Sequence, residues 1–158
     1  MISAPTPLTA LHQLTDFDSG VPSLDDWLKR RAAKNQANDS SRTYVACDGQ
    51  AVIGYYCLSA GAIGHAEAPS AMRRNRPNPI PVMVLGRLAI HKDYQQKGIG
   101  TALLRDAILR TIQAAEIAGM TAGLFGQLFT QALAAISVAA PVMARTATYL
   151  RTLAAASA

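Results

Sequence analysis

Cysteine and acidic side chains are scarce in this chain, and each shortage excludes something. Its two cysteines, Cys47 and Cys57, are too few for a disulfide framework and have no zinc-ligand spacing, so no metal is expected. Both fall in segments with strand character and read as buried thiols of a reducing compartment. No leader is expected either. The start, Met1-Ile2-Ser3-Ala4-Pro5-Thr6-Pro7, has neither the basic onset nor the apolar core of a signal peptide, which points to the cytoplasm. No internal repeat is visible. Asp and Glu number 10 against 15 Lys and Arg, giving a net charge of +5 and a pI near 9.6. That excess favours anionic partners, nucleic acid among them, although many soluble domains are equally basic. The sharpest absence is local. After Met120 there is no Asp, Glu, Lys or His, and only Arg145 and Arg151 carry charge.

What is present is a chain of 158 residues, half of them hydrophobic, enough for one domain with a sizeable core. It is organised around the stretch from Val82 to Leu104. Val82-Met83-Val84-Leu85-Gly86-Arg87-Leu88-Ala89-Ile90 reads as a buried strand, His91 to Tyr94 as a polar turn. Then Gln95-Gln96-Lys97-Gly98-Ile99-Gly100-Thr101 opens an amphipathic helix. Gly98 and Gly100 let the backbone bend sharply and a ligand approach closely. The first N–H groups of a helix lack intrahelical acceptors, and its dipole favours an anion there. With Lys97 adding a positive charge, this is the composition of a phosphate cradle. It is not a Walker A loop, because Gly100 is followed by Thr101-Ala102 rather than Lys-Ser/Thr. Nor is it a Rossmann fingerprint, since only Gly-x-Gly is present and several elements precede it.

Along the rest of the chain, residues 1–11 are extended and 12–20 form a polar turn region ending in Gly20. Ser23 and Asp26 have the spacing of a capping box before a helix from about Leu24 to Asn35. Lys29, Arg30, Arg31 and Lys34 near its end are either a solvated, dipole-matched face or a binding surface. Thr43–Cys47 and Ala51–Ala60 read as strands joined at Asp48-Gly49, a hairpin signal. Gly54 predicts a bulge or a close backbone approach. A loop from about Gly64 to Pro79 carries Arg73, Arg74 and Arg76, whose planar forks suit phosphate. Leu103, Leu104, Ala107, Ile108, Thr111, Ile112 and Ala115 form one apolar helix face, ending near Gly119.

Gln95, Gly98 and Gly100 resemble motif A of the GNAT N-acetyltransferases, Gln/Arg-x-x-Gly-x-Gly/Ala. The resemblance implies an α+β GNAT fold, with a mixed, mostly antiparallel central sheet flanked by helices. Ser19-Gly20, Leu24-Asp25-x-Trp27-Leu28, Val52-Ile53-Gly54-Tyr55-Tyr56, the Arg-rich loop before Ile80-Pro81-Val82, and Leu85-Gly86-Arg87-Leu88-Ala89 narrow it. Together they resemble the GNAT toxins of bacterial type II toxin–antitoxin modules. Members transfer acetyl from acetyl-CoA to the amino group of aminoacyl-tRNA and block translation, usually as homodimers paired with a ribbon-helix-helix antitoxin. The resemblance implies that Ala89, Ile90 and His91 bind the acetyl-pantetheine arm. Gln96, Lys97, Gly98, Ile99, Gly100 and Thr101 would hold the pyrophosphate, and Arg73, Arg74 and Arg76 the tRNA backbone. Gln96 stands where the family commonly has Gly.

The resemblance covers residues 8 to about 120, so 1–120 is expected to be the acetyltransferase core and 121–158 an atypical segment completing or replacing its last elements. Family members carry there a Phe-Tyr pair whose Tyr protonates the departing thiolate. Here the only Tyr is Tyr149, which lacks a preceding Phe, so no catalytic residue is assigned. Three readings of the tail compete: a reading-frame change near codon 121, a divergent tail whose 122–129 still forms a strand, and a weak membrane segment from Thr121 to Ala144. The first ranks highest, and no stable membrane association is expected. The chemistry needs oxyanion donors, expected among strand amides near Leu88–Ile90, and an acid for the thiolate. The functional expectation is an aminoacyl-tRNA acetyltransferase. The alternatives are an impaired homologue that binds CoA and antitoxin, or an acetyltransferase of small-molecule or protein amines.

Overall fold

Strands β1 (Thr6–Pro7), β2 (Arg42–Asp48), β3 (Ala51–Ile63) and β4 (Ile80–Ile90) pair antiparallel in chain order in the computed structural model, which describes residues 1–68 and 70–117. Helix α1 (Pro22–Arg30), α2 (Ala32–Ala37), the short α3 (Ser70–Arg73) and α4 (Ile99–Ile117) complete the architecture, with a 3₁₀ turn at Lys92–Tyr94. This is the expected α+β arrangement. The β2–β3 hairpin closes at Asp48 and Ala51, and Gly49 adopts a φ of +63°.

β3 is buried from Val52 to Leu58 because both faces of the sheet are covered there. On one face Ile53, Tyr56, Leu58, Leu85, Leu88 and Ile90 pack against Leu103, Leu104 and Ala107 of α4. On the other, Val45, Val52, Tyr55 and Ala89 pack against Phe17, Trp27 and Leu28. Cys47 and Cys57 are both free and buried on this second side, and burial pushes both thiols' pKa upward.

Gly54 satisfies both sequence expectations. A register shift places Ile53 outside the β2–β3 pairing beside it. A Cβ on Gly54 would lie 2.8 Å from the Ile90 Cδ1 and 3.0 Å from the Leu103 Cδ1, so its absence is what lets α4 sit down on the sheet. A second shift leaves Gly86 unpaired, because Cys57 opposes Arg87 while Leu58 opposes Leu85.

Two local expectations need correction. The helix expected from Leu24 to Asn35 starts at Pro22, whose fixed φ suits a first helical position, and it breaks at Arg31. The break redirects α2 onto the sheet. There Gln36 donates to the Leu8 carbonyl at 2.7 Å and accepts from the Thr43 N–H at 3.2 Å. Ser23 and Asp26 make no capping box, because the N-cap is Val21 and has no side-chain acceptor. Instead Asp25 reaches back and accepts from both the Ser19 N–H (3.0 Å) and the Ser19 hydroxyl (2.6 Å). The tail readings at 121–158, Tyr149 included, lie outside the described residues.

Candidate functional site

The segment after β4 is held by a set of brackets. The Gln95 amide donates to the Ser19 carbonyl (2.9 Å) and to the Ile90 carbonyl (3.0 Å). Lys92 donates to the Asp18 carboxylate at 2.6 Å, and its own N–H to the Asp18 carbonyl at 2.8 Å. His91 Nδ1 accepts from the Asp93 N–H (3.2 Å) while Nε2 contacts the Asp16 carbonyl (3.2 Å). Both contacts are satisfied together by a neutral ring with its proton on Nε2. These bonds fix the strand end, the turn and residues 16–20 as one unit.

From that unit the loop turns through Gln96 (φ +62°) and Gly98 (φ +80°) into α4. The first capping bond of the helix is from the Ala102 N–H to the Gly98 carbonyl, at 3.1 Å. Among the described residues, the backbone N–H groups from Gln96 to Thr101 find no acceptor within the protein. They lie at and just before the positive end of a 19-residue helix. The Lys97 ammonium lies 5.1 Å from the centre of the Tyr94 ring beside them. Residues 95–98 are exposed. The loop therefore has the donors, charge and access that a pyrophosphate requires. Gln95 belongs to its scaffold rather than to its binding surface.

The register of β4 shows which way the amides of its last residues turn. Ala89 opposes Tyr55, and the His91 N–H donates to the Ile53 carbonyl at 2.8 Å. Antiparallel alternation then turns the amides of Ala89 and His91 toward β3, and those of Leu88 and Ile90 to the other side, the outer edge of β4 among the described strands. Of Ala89, Ile90 and His91, Ile90 turns its N–H to that side. Leu88, unassigned as a pantetheine contact, does the same. The ligand-facing parity of a strand cannot be read before its partner's register is known.

Arg73, Arg74 and Arg76 form no ion pair among the described residues. Arg73 Nε donates to the Ala68 carbonyl at 2.7 Å, which closes the loop around α3. Arg74 is exposed and Arg76 half-buried. Lys29, Arg30, Arg31 and Lys34 are all exposed, and only Arg30 has a carboxylate nearby, Asp26 at 3.8 Å.

Tyr94, an available candidate for an acid, donates its hydroxyl to Asp48 at 3.1 Å. That bond and the adjacent charge raise its pKa. Asp48 lies on β2, two strands inward from the β4 edge, roughly 10 Å away at the usual strand spacing. No metal-holding group of three or more His, Cys, Asp or Glu, and no membrane-crossing helix, occurs among the described residues.

Comparison with known proteins places this geometry. Residues 39–139 match the family model described as an acetyltransferase (GNAT) domain. A tRNA-acetylating toxin of Mycobacterium tuberculosis is 45% identical over 132 residues, covering 84% of this chain and 80% of its own length. Among solved structures, AtaT complexed with acetyl-methionyl-tRNAfMet is 28% identical with a TM-score of 0.69, covering 76% of this chain and 74% of that one. A Tyr-to-Phe mutant of AtaT bound to acetyl-CoA and to the C-terminus of the antitoxin AtaR is also 28% identical, with a TM-score of 0.63. That match covers 76% of this chain and 70% of the other.

Proposed function

The chain belongs to the acetyltransferase (GNAT) family, and from that premise we propose that it transfers acetyl from acetyl-CoA to the amino group of aminoacyl-tRNA and so blocks translation. The observation that carries this is the 45% identity to a tRNA-acetylating toxin across 84% of the chain. The loop geometry supports the cofactor part. The Gln96–Thr101 amides and Lys97 would hold the pyrophosphate, while the edge-facing groups of Leu88 and Ile90 would line the pantetheine arm. Acetyl-CoA supplies the activated acyl group. The protein orients it, and the same edge amides would stabilise charge developing on the thioester oxygen. The attacking amine must be neutral.

Arg73, Arg74 and Arg76 are proposed to meet tRNA phosphates, with the exposed cations of α1 and α2 as additional positive surface. A ribbon-helix-helix antitoxin and a second copy of the chain are the proposed protein partners, and the cytoplasm the place of action. Residues 1–120 would form the catalytic core, completed or altered by 121–158. The missing Phe-Tyr pair favours one second reading, a homologue that keeps acetyl-CoA and antitoxin but turns over poorly. Transfer from labelled acetyl-CoA to a panel of charged tRNAs, run beside small-molecule and protein amines, tests both. Label on amines but on no charged tRNA would overturn the tRNA assignment.

A further inference from the structure

β4 presents alternate side chains to opposite faces of the sheet. Leu88 and Ile90 pack with α4, whose N-terminal amides form the anion cradle, while Ala89 packs with Phe17, Trp27 and Tyr55. Arg87 shares the face of Ala89. Its guanidinium carbon lies 4.5 Å from the centre of the Trp27 ring. Trp27 stacks in turn on Tyr55, with centroids 5.9 Å apart and planes 14° apart. The Tyr55 hydroxyl donates to the Leu24 carbonyl at 2.8 Å, locking this column to α1. Arg87 follows the bulged Gly86 directly and precedes Leu88, whose amide faces the outer edge.

Among the described residues Arg87 makes no ion pair and no side-chain hydrogen bond, although it is half-buried. Its guanidinium sits over the Trp27 ring, and its N–H donors have no hydrogen-bond partner among the described residues. A guanidinium held that way is preorganised for an acceptor with two oxygens, a carboxylate or a phosphate. An amino acid esterified to a nucleic acid has no free carboxylate. The nearest anion to its amine is the phosphate on the 5′ side of the terminal nucleoside. The cofactor's own phosphates belong to the opposite face, at the start of α4.

We propose that Arg87, braced by Trp27, is a specificity-determining residue that binds this terminal 5′ phosphate and so aligns the acylated end of the tRNA with the β4 edge. The proposal rests on the acetyl-acceptor reading above and names one contact within it.

The test is calorimetric and needs no turnover. Puromycin, an amide-linked aminoacyl-nucleoside, is compared with puromycin 5′-phosphate, with acetyl-CoA binding and circular dichroism as folding controls. Wild type is expected to bind the phosphorylated probe about tenfold more tightly or better, the scale of a charge-assisted pair. Arg87→Gln should remove that preference and leave affinity for unphosphorylated puromycin in place. Arg87→Lys, which keeps charge but loses the fork, should retain only part of it. Equal binding of both probes by wild type overturns the proposal. So does an equal loss on both probes in Arg87→Gln, which would make Arg87 a brace for Trp27. Should Arg87→Gln not fold, an undiminished preference in Arg87→Lys overturns the bidentate contact. Acetylation of charged tRNA is scored separately, so failure of that reaction and failure of this contact are distinguishable.

Discussion

Gln96 shows what one residue can reveal about a loop. Its φ of +62° lies in the left-handed region, which costs a side-chain-bearing residue about 1–2 kcal/mol. Gln96 therefore holds, with strain, a conformation that the glycine common at this position in the resembled family adopts freely. Gln96→Gly is expected to stabilise the fold by roughly 0.5–1 kcal/mol, less than the full relief because glycine has more freedom to lose on folding. Acetyl-CoA affinity should be kept. A denaturation midpoint that falls would show that the Gln96 side chain contributes more than its backbone costs. The two cysteines make a complementary case. Both are buried with raised pKa, so neither should react with a thiol reagent in the native protein, and both should react once it is unfolded. Rapid labelling of native protein would contradict the burial of β2 and β3.

At the scale of elements, the segment from Asp16 to Gly20 is tied to the end of β4 by Gln95, Lys92 and His91, and these ties were not legible in the sequence. Gln95 was visible as part of a ligand motif, but its long-range partner Ser19 lies 76 positions away, beyond any local pattern. Strand and helix existence was legible where periodicity is strong, as in β3 and α4. Boundaries such as the break at Arg31 were set by docking of α2, which sequence spacing does not encode. Gln95→Ala should destabilise the protein by about 1–3 kcal/mol, because it removes one donor from two carbonyls. It should also weaken acetyl-CoA binding by loosening the cradle, and unchanged affinity would separate the loop from its bracket. The Lys92–Asp18 bond adds a pH dependence whose sign is fixed. Lys92 lowers the pKa of Asp18, so the stabilisation is present above the ordinary carboxylate range and is lost as pH falls through the depressed folded value. Protection factors for the amides of residues 16–20, corrected for the intrinsic slowing of exchange in acid, should fall on acidification before those of the core strands do.

At the largest scale, the proposed sites for cofactor and acceptor fall on opposite faces of the described sheet. The start of α4, the proposed phosphate cradle, belongs to the element on one face of the sheet, while Arg87 and α1 lie on the other. The Gly-containing turn into α4 was legible because glycines, a lysine and a helix start are adjacent in sequence. The Leu88 and Ile90 edge and the Arg87–Trp27 pair were not, because register and a contact between positions 27 and 87 create them. Replacing Arg73, Arg74 and Arg76 together with Ala should weaken tRNA binding and flatten its salt dependence, with acetyl-CoA affinity unchanged. Parallel loss of both affinities would make that loop structural. Turnover is the remaining expectation. The sequence after Met120 has no Phe-Tyr pair, and the Tyr94 hydroxyl is committed to Asp48 away from the β4 edge, so Tyr94 is not placed to protonate a departing thiolate there. A general acid contributes about 10²–10⁴-fold, and acetyl transfer should be slower by at least the lower figure than in a relative that retains one. Cofactor binding, built from backbone amides, should survive this deficit. Acetylation of charged tRNA by this chain at the rate of such a relative would refute the prediction. Tyr149→Phe and Tyr94→Phe would then identify whether either residue supplies the proton.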